Sequence, residues 1–405
     1  MGSSGQLGPE PCAVPSCAIP GTVLVTVVSE DGAFVDRRLC PIHMQAWFRK
    51  RYSQCGCVSP GKLGGQQLTK AWLELIVQDA LQRDMNAFLL RSKGAGGYYV
   101  ILCGAVEALQ IRSALERPSE VCDSLHGLLF RIVERLGGVV KGVVIESYWK
   151  GPMSVRGTRG TILLSHASGS DVLDCRPSDG AALATVGHVP IFVRDTPSSE
   201  EGPGWPNEVS ADYWRLMGTP KLQCHEAECG EAPVGFVIRL ENGRLAGDDV
   251  YCQQHLRDYA SWAWLGVAQR GVSHVGCKPT ELRVAQAIGA LKEGGLQVLL
   301  CNTLGDRMIG VSVGRAHRGA LLSSLFGVKS SRPLTHELFV EVVRVLGAEI
   351  TGAVLRPARG TGIPRGLAGG IEIRRGDTPY CVPAGVGDAI VVAVASNVPI
   401  RYQPN

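Results

Sequence analysis

The chain has 405 residues, enough for two to four domains at roughly 100–200 residues each. Hydrophobic residues make up 45 % of it, which supplies a sizeable core and excludes wholesale disorder, and its 51 glycines follow no Gly-X-Y period, which excludes collagen. With 41 basic and 37 acidic side chains the net charge is only +4, so no general polyanion-binding surface is implied and any nucleic-acid contact needs a local patch. No apolar run reaches the roughly 20 residues that span a bilayer; the best, Ala389–Ala395, is short and follows Asp388. Met1-Gly2-Ser3-Ser4-Gly5 lacks the basic and apolar regions of a signal peptide. Fourteen cysteines are then expected as metal ligands and buried thiols rather than disulfides, in a soluble cytoplasmic chain with no membrane partner.

In chain order, Cys12, Cys17, Cys40 and His43 come first, spaced C-x4-C-x22-C-x2-H. Between them Thr22–Val28 alternates β-branched residues, Glu30-Asp31-Gly32 turns, and Phe34–Arg37 returns, a hairpin. Pro41 suits a first helical position, so Cys40 and His43 open a helix and close a small module over 8–56. A larger domain, 66–195, follows. Apolar spacing predicts a helix over Leu68–Leu81, strands at Ala87–Leu90 and Tyr98–Leu102, and helices at Val106–Leu115 and Ser124–Leu136. Next come a strand at Val139–Glu146, a hairpin of Gly160–Ser165 with Asp171–Cys175, a helix at Pro177–Val186 and a strand at Val189–Val193.

A Pro/Gly/Ser-rich stretch, Thr196 to Gly204, opens a linker expected over 196–219, although Trp205, Tyr213 and Trp214 are poor linker residues. Then the pattern repeats. Cys224, Cys229, Cys252 and His255 restore the first spacing, shifted by 212 without insertion or deletion. They define a second module, 220–270, and a second domain, 278–405. Its expected elements are a helix at Leu282–Leu291, strands at Gln297–Cys301 and Met308–Val313, and helices at His317–Leu325 and Thr335–Leu346. A strand at Glu349–Leu355, a hairpin of Gly369–Arg374 with Pro379–Val382, a helix at Gly387–Ala395 and a strand at Val398–Tyr402 complete it. Helices interspersed with antiparallel hairpins make the class α+β.

A knuckle pair plus a pair at a helix start is what tetrahedral Zn²⁺ needs in a module too small for its own core, and four ligands mark a structural site. The sequence thus predicts two zinc ions, at Cys12/Cys17/Cys40/His43 and at Cys224/Cys229/Cys252/His255. Buried thiols are the duller alternative. Arg49, Lys50 and Arg51 beside Trp47 and Phe48 suit nucleic acid, but the second copy has Asp258, Tyr259 and Ala260 there, so a solvated helix face is expected. Cys55 and Cys57, matched only by Cys277, read as loop thiols, and His166, His188 and His274 have no counterparts.

Several stretches carry a resemblance. The first copy has Gly104-Ala105-Val106-Glu107-Ala108, then Cys122-Asp123-Ser124-Leu125-His126, then Arg176-Pro177-Ser178-Asp179. The second has Arg332-Pro333-Leu334-Thr335-His336 and Gly387-Asp388-Ala389, and the copies close on Val189-Pro190-Ile191 and Val398-Pro399-Ile400. Over Met85–Val193 and Val298–Tyr402 the chain resembles the bifunctional nuclease family, with its Gly-x-x-Glu-Ala, Arg-Pro-Leu-Thr-His and Arg-Pro-Ser-Asp-Ala elements. The resemblance implies DNase and RNase activity. Neither copy holds the full set: the first lacks the Arg-Pro-Leu-Thr part, and the second has His317 in place of Glu107 and Val386-Gly387 in place of Pro177-Ser178.

Phosphodiester hydrolysis needs a base for water, a cation at the phosphate and a donor to the leaving oxygen. Glu107, His126, Arg176 and Asp179 supply these types in the first copy, and Arg332, His336 and Asp388 in the second. Glu107 and Asp179 would position a metal (Mg²⁺ or Mn²⁺) or a water, Arg176 hold the phosphate and His126 move the proton. The competing reading makes Asp179 and Asp388 helix caps and both histidines buried hydrogen-bonded residues. A nuclease acting on DNA or RNA is therefore expected first, and a zinc-stabilised scaffold or regulator binding a protein or nucleotide partner second. The duplication also predicts that the copies pair as the subunits of a homodimer would, and allows a homo-oligomer.

Overall fold

The computed structural model describes residues 10–28, 33–52, 68–79, 86–92, 98–116, 124–150, 155–196, 224–226, 228–241, 244–270, 280–290, 294–304, 308–328, 333–358 and 366–404. The chain divides into two compact units, Met1–Gly204 and Trp205–Asn405. The expected linker beyond Thr196 lies outside the described residues, as do Arg332, Cys55, Cys57, Cys277 and His274.

In the first unit β1 (Glu10–Pro11) pairs with β2 (Pro20–Gly21), and β3 (Val23–Val28) forms a hairpin with β4 (Phe34–Leu39) before helix α1 (Pro41–Tyr52). Then come β5 (Thr69–Asp79), β6 (Asn86–Ser92), β7 (Tyr98–Cys103), α2 (Ala105–Glu116) and α3 (Leu125–Arg135). They are followed by β8 (Val139–Lys150), β9 (Val155–His166), β10 (Gly169–Cys175), α4 (Pro177–Val186) and β11 (Ile191–Thr196). One nine-stranded sheet runs β10-β9-β8-β11-β5-β3-β4, with β6 on β5 and β7 on β6. Among the described strands of this sheet only β8 and β11 run parallel, α4 returning the chain between β10 and β11.

The second unit repeats this plan. It has β12 (Gly235–Glu241), β13 (Arg244–Tyr251), α5 (Gln253–Arg270), β14 (Thr280–Ala290), β15 (Leu296–Cys301), β16 (Met308–Val313), α6 (Arg315–Leu325) and α7 (Thr335–Val345). It ends with β17 (Glu349–Pro357), β18 (Leu367–Arg375), β19 (Thr378–Ala384), α8 (Val386–Ala395) and β20 (Ile400–Tyr402). Its sheet order, β19-β18-β17-β20-β14-β12-β13 with β15 and β16 added to β14, matches the first strand for strand.

One expectation fails in both copies, and for one reason. The helices expected at Leu68–Leu81 and Leu282–Leu291 are the strands β5 and β14. Against β6, β5 shifts register between Leu73 and Leu75, and β14 shifts against β15 between Val284 and Gln286. A bulge inserts one residue, so burial runs Ala71, Leu73, Glu74, Ile76, Gln78, and its apolar members Leu73 and Ile76 fall a step of three apart. The step of three counterfeits a helical period.

β5 also joins the Cys/His hairpin to the rest. Its Leu75–Asp79 end pairs with β3, and its Thr69–Ala71 end pairs with β11. The hairpin of each Cys/His group is therefore part of the main sheet. A small cluster around Cys12, Val23, Val25, Leu39 and Cys40 takes in Leu89 of β6, and Arg112 of α2 donates to Asp36 of β4.

Helix α4 packs against α2 and α3 and onto β8 and β9. Small residues let it approach: a Cβ at Gly180 would stand 2.8 Å from Val143, and Ala181–Ala184 are buried. Its counterpart α8 contains the apolar run Ala389–Ala395, which is core, from Ala389 to Ala393 at 0 % exposure. Burial lets Ile390, Val391 and Val392 sit in a helix against their intrinsic preference. Among the described residues no helix is long and apolar enough to cross a membrane.

Candidate functional site

Each hairpin and its helix bring three cysteines and a histidine together, with all four ligand atoms within 4.8 Å of one another. Cys17 Sγ and Cys40 Sγ are 3.9 Å apart, and Cys12 Sγ and Cys40 Sγ each stand 3.4 Å from His43 Nδ1. The second group has Cys229 and Cys252 at 3.9 Å, and Cys224 and Cys252 at 3.3 and 3.4 Å from His255 Nδ1. A tetrahedral ion with bonds of about 2.3 Å to sulfur and about 2.0–2.1 Å to nitrogen sets those spacings at about 3.8 and 3.6 Å. The residues fit. Ser16 and Glu228, both at φ 66°, make the left-handed turn that each knuckle needs before its second cysteine. Burial opposes ionisation of Cys12, but the N–H groups of Val14 and Cys40 and the His43 ring bring its thiol down to about 6. Cys224 comes down to about 7, burial again opposing and the N–H groups of Cys252 and Glu226 prevailing.

The other cluster forms where three helices begin. Glu107 is the third residue of α2, His126 the second of α3, and Asp179 the third of α4, with Arg176 as the N-cap of α4. Each stands where free N–H groups and the positive dipole end gather. Ser124 caps α3 by accepting from Gly127 N–H at 3.0 Å, which holds His126 in its turn. Gly104 precedes α2 because a Cβ there would stand 2.5 Å from the Glu107 carboxylate.

The four side chains expected to work together do meet. Arg176 Nε donates to Asp179 Oδ2 at 2.6 Å, and its Nη2 donates to Asp179 Oδ1 and to Glu107 Oε1, each at 3.0 Å. His126 Nε2 lies 3.2 Å from Asp179 Oδ1, and its Nδ1 lies 2.5 Å from Gln110 Oε1. The side chains of Asp179 and His126 are 0 % and 1 % exposed, those of Glu107 and Arg176 11 % and 29 %. Burial would raise the Asp179 carboxyl, but His126 and the Arg176 charge together hold it well below the usual carboxylate range. Burial works against the Arg176 charge too, and Asp179 and Glu107 overcome it. Burial pushes the neighbouring Cys175 thiol far up, so it stays protonated.

In the second unit His336 and Asp388 meet, with His336 Nε2 3.1 Å from Asp388 Oδ1. His317 Nε2 reaches the same oxygen at 2.9 Å. Sequence reasoning gave His317 no role, although its alignment with Glu107 was a usable signal. It also missed Gln110, which follows Glu107 by one helical turn and so shares its face. Gly385 stands where the first copy has Arg176, and burial of Asp388 is again outweighed, here by the two histidines, so its carboxyl stays low. The N-caps of α4 and α8 are Arg176 and Gly385, and both Asp179 oxygens are taken by His126 and Arg176. His188, unmatched as a histidine, holds the left-handed position after α4 that Asn397 holds after α8.

A catalytic Mg²⁺ or Mn²⁺ does not fit the first cluster. The Arg176 guanidinium lies between the two carboxylates that would have to bind it. Among the described residues, the groups able to hold an ion are the two Cys3His sets and His317, His336 and Asp388. The family model described as "Bifunctional nuclease domain" matches residues 88–202 and 298–405. No curated protein matches the chain.

Proposed function

Because the chain belongs to the bifunctional nuclease domain family, carrying the domain twice, we propose that it hydrolyses phosphodiester bonds of DNA or RNA at the Glu107–Arg176 face of the first copy. The observation that carries this reading is the meeting of four side chains from three separate segments at three helix N-termini. Arg176, 29 % exposed and pinned by Asp179, presents its outer edge to one non-bridging phosphate oxygen, and the helix ends add positive potential. Glu107, beside it, accepts the proton of the attacking water. Asp179 and His126 are too buried to touch a substrate, so they act as positioning residues that hold Arg176. Zn²⁺ in both Cys3His groups is structural, since four protein ligands leave no open position. With near-balanced net charge and few phosphate contacts, binding is weak, salt-sensitive and low in sequence preference.

Purified protein assayed on labelled single-stranded DNA and RNA tests this. Glu107→Gln is expected to lower kcat/KM by about 10²–10⁴-fold, the usual worth of a general base. Arg176→Lys is expected to lose on the order of 10²-fold, because an ammonium cannot keep both carboxylates and a phosphate. One observation favours the second reading, a scaffold or regulator. Arg176 already satisfies two carboxylates, as a purely structural arginine would. Cleavage that survives both substitutions, or is absent from the outset, selects that reading.

A further inference from the structure

The two copies keep the same aspartate at the third position of the same helix, but balance its charge differently. In the first, Arg176 is a built-in cation. In the second, three changes occur together: Gly385 for Arg176, His317 for Glu107 and Gly387 for Ser178. They fit one another sterically. A Cβ at Gly387 would stand 3.0–3.1 Å from three atoms of the His317 ring, and one at Gly385 would stand 2.9 Å from Asp388 Oδ2. The glycines thus make room for an imidazole to face the carboxylate.

What results is a ligand set. His317 Nε2 and His336 Nε2 stand 2.9 and 3.1 Å from the same oxygen, Asp388 Oδ1, and all three donor atoms lie within 4.8 Å of one another. The rings are tilted by 59° with centroids 5.7 Å apart, converging on the carboxylate rather than stacking. Donors about 2.0–2.2 Å from an ion, at right-angled to tetrahedral geometry, stand about 2.9–3.4 Å apart. A second observation is independent of those distances: Arg176, the cation that balances the equivalent carboxylate in the first copy, is Gly385 here, and Asp388 faces two imidazoles instead. His317 Nδ1, on the other edge of the ring, is buried without a hydrogen-bond partner among the described residues, so the ring is held from its Nε2 edge. Arg318, the next residue, lies over the Phe236 ring, 5.3 Å from its centroid.

We propose that His317, His336 and Asp388 form a third metal site, binding a borderline divalent first-row ion such as Zn²⁺ or Co²⁺ and leaving its remaining positions to water. Two imidazoles and one carboxylate select such ions over Mg²⁺ and Ca²⁺, which prefer oxygen throughout. The ion stands in for the charge of the missing arginine. At 23 % side-chain exposure His317 opens the site to solvent, so the ion exchanges without unfolding. The inference goes beyond the nuclease reading and stands without it. A chain that binds the third ion but cleaves nothing keeps one and loses the other.

The test is equilibrium dialysis of the intact chain against Zn²⁺, followed by metal analysis, with folding checked by circular dichroism. The wild type is expected to hold one ion beyond the two of its Cys3His groups. His317→Gln removes a ligand and is expected to weaken the extra ion by more than the roughly 10–100-fold that outer-shell changes cost. Gly387→Ser restores the first copy's residue, crowds the imidazole and leaves all three ligands in place; about a 10-fold weakening is expected. With Co²⁺, the extra ion should give ligand-field absorption without the thiolate charge-transfer bands of the other two. Wild-type protein holding only two ions, or an extra ion bound equally by both folded variants, would overturn the proposal.

Discussion

Replacing Cys40 by serine is expected to release one zinc ion and to unfold the first hairpin–helix pair while the rest of the chain stays folded. Cys40 is 0 % exposed, and it meets Cys17 and His43 as well as accepting the His43 N–H. Among the described residues, its buried cluster holds Cys12, Val23, Val25, Leu39 and Leu89, with a few half-buried neighbours. So small an apolar cluster cannot hold α1 to β3 and β4 by itself. In such modules metal binding is folding free energy, on the order of 10 kcal/mol at neutral pH. Because β3 pairs with β5, and Arg112 ties Asp36 to the helix that carries Glu107, β5 and that helix should loosen without unfolding. Hydrogen exchange should rise over residues 23–28 and 34–39, and to a smaller extent over 75–79. Acid should act similarly, since protons compete for the thiolates. A Cys40→Ser protein with unchanged zinc content and unchanged exchange would refute the structural role.

Asp179→Asn should cost the first unit about 3–5 kcal/mol at neutral pH, the usual result of stranding one member of a buried ion pair. Its carboxylate is fully buried, and the change removes the negative charge that faces Arg176 and one of the two acceptor oxygens that Arg176 and His126 use. A unit of this size should then melt on the order of 10 °C lower. The pH dependence follows from the depressed carboxyl. Its folded pKa lies far below that of an unfolded aspartate, so the stabilisation is complete above roughly pH 4 and disappears as the pH falls toward the folded value. The groups facing it, His126, Arg176 and Glu107, are unchanged in the variant. Urea melts of both proteins should therefore differ most near neutrality and converge in acid. A gap that stays constant from pH 7 to pH 3 would mean that the charge is not its source.

What the amino-acid order determined by itself is local or repeated. The unshifted spacing of Cys12, Cys17, Cys40 and His43 with Cys224, Cys229, Cys252 and His255 exposes both ligand sets, because a knuckle and a helix start are short-range geometry. The helix starts that carry Glu107, His126, Asp179, His336 and Asp388 are equally legible, from glycines, a capping serine and Pro177. Tertiary structure decided what depends on distant partners. One bulge in each gave β5 and β14 a helix-like period, and only pairing with β3, β6 and β11, or with β12, β15 and β20, made them strands. The same pairings drew the Cys/His hairpins into the main sheets. Burial, too, is a property of the packed molecule: it set Asp179 and His126 behind Arg176. In the second copy it turned His317 toward Asp388 through space vacated by Gly387, a contact between residues 71 apart that no local pattern records.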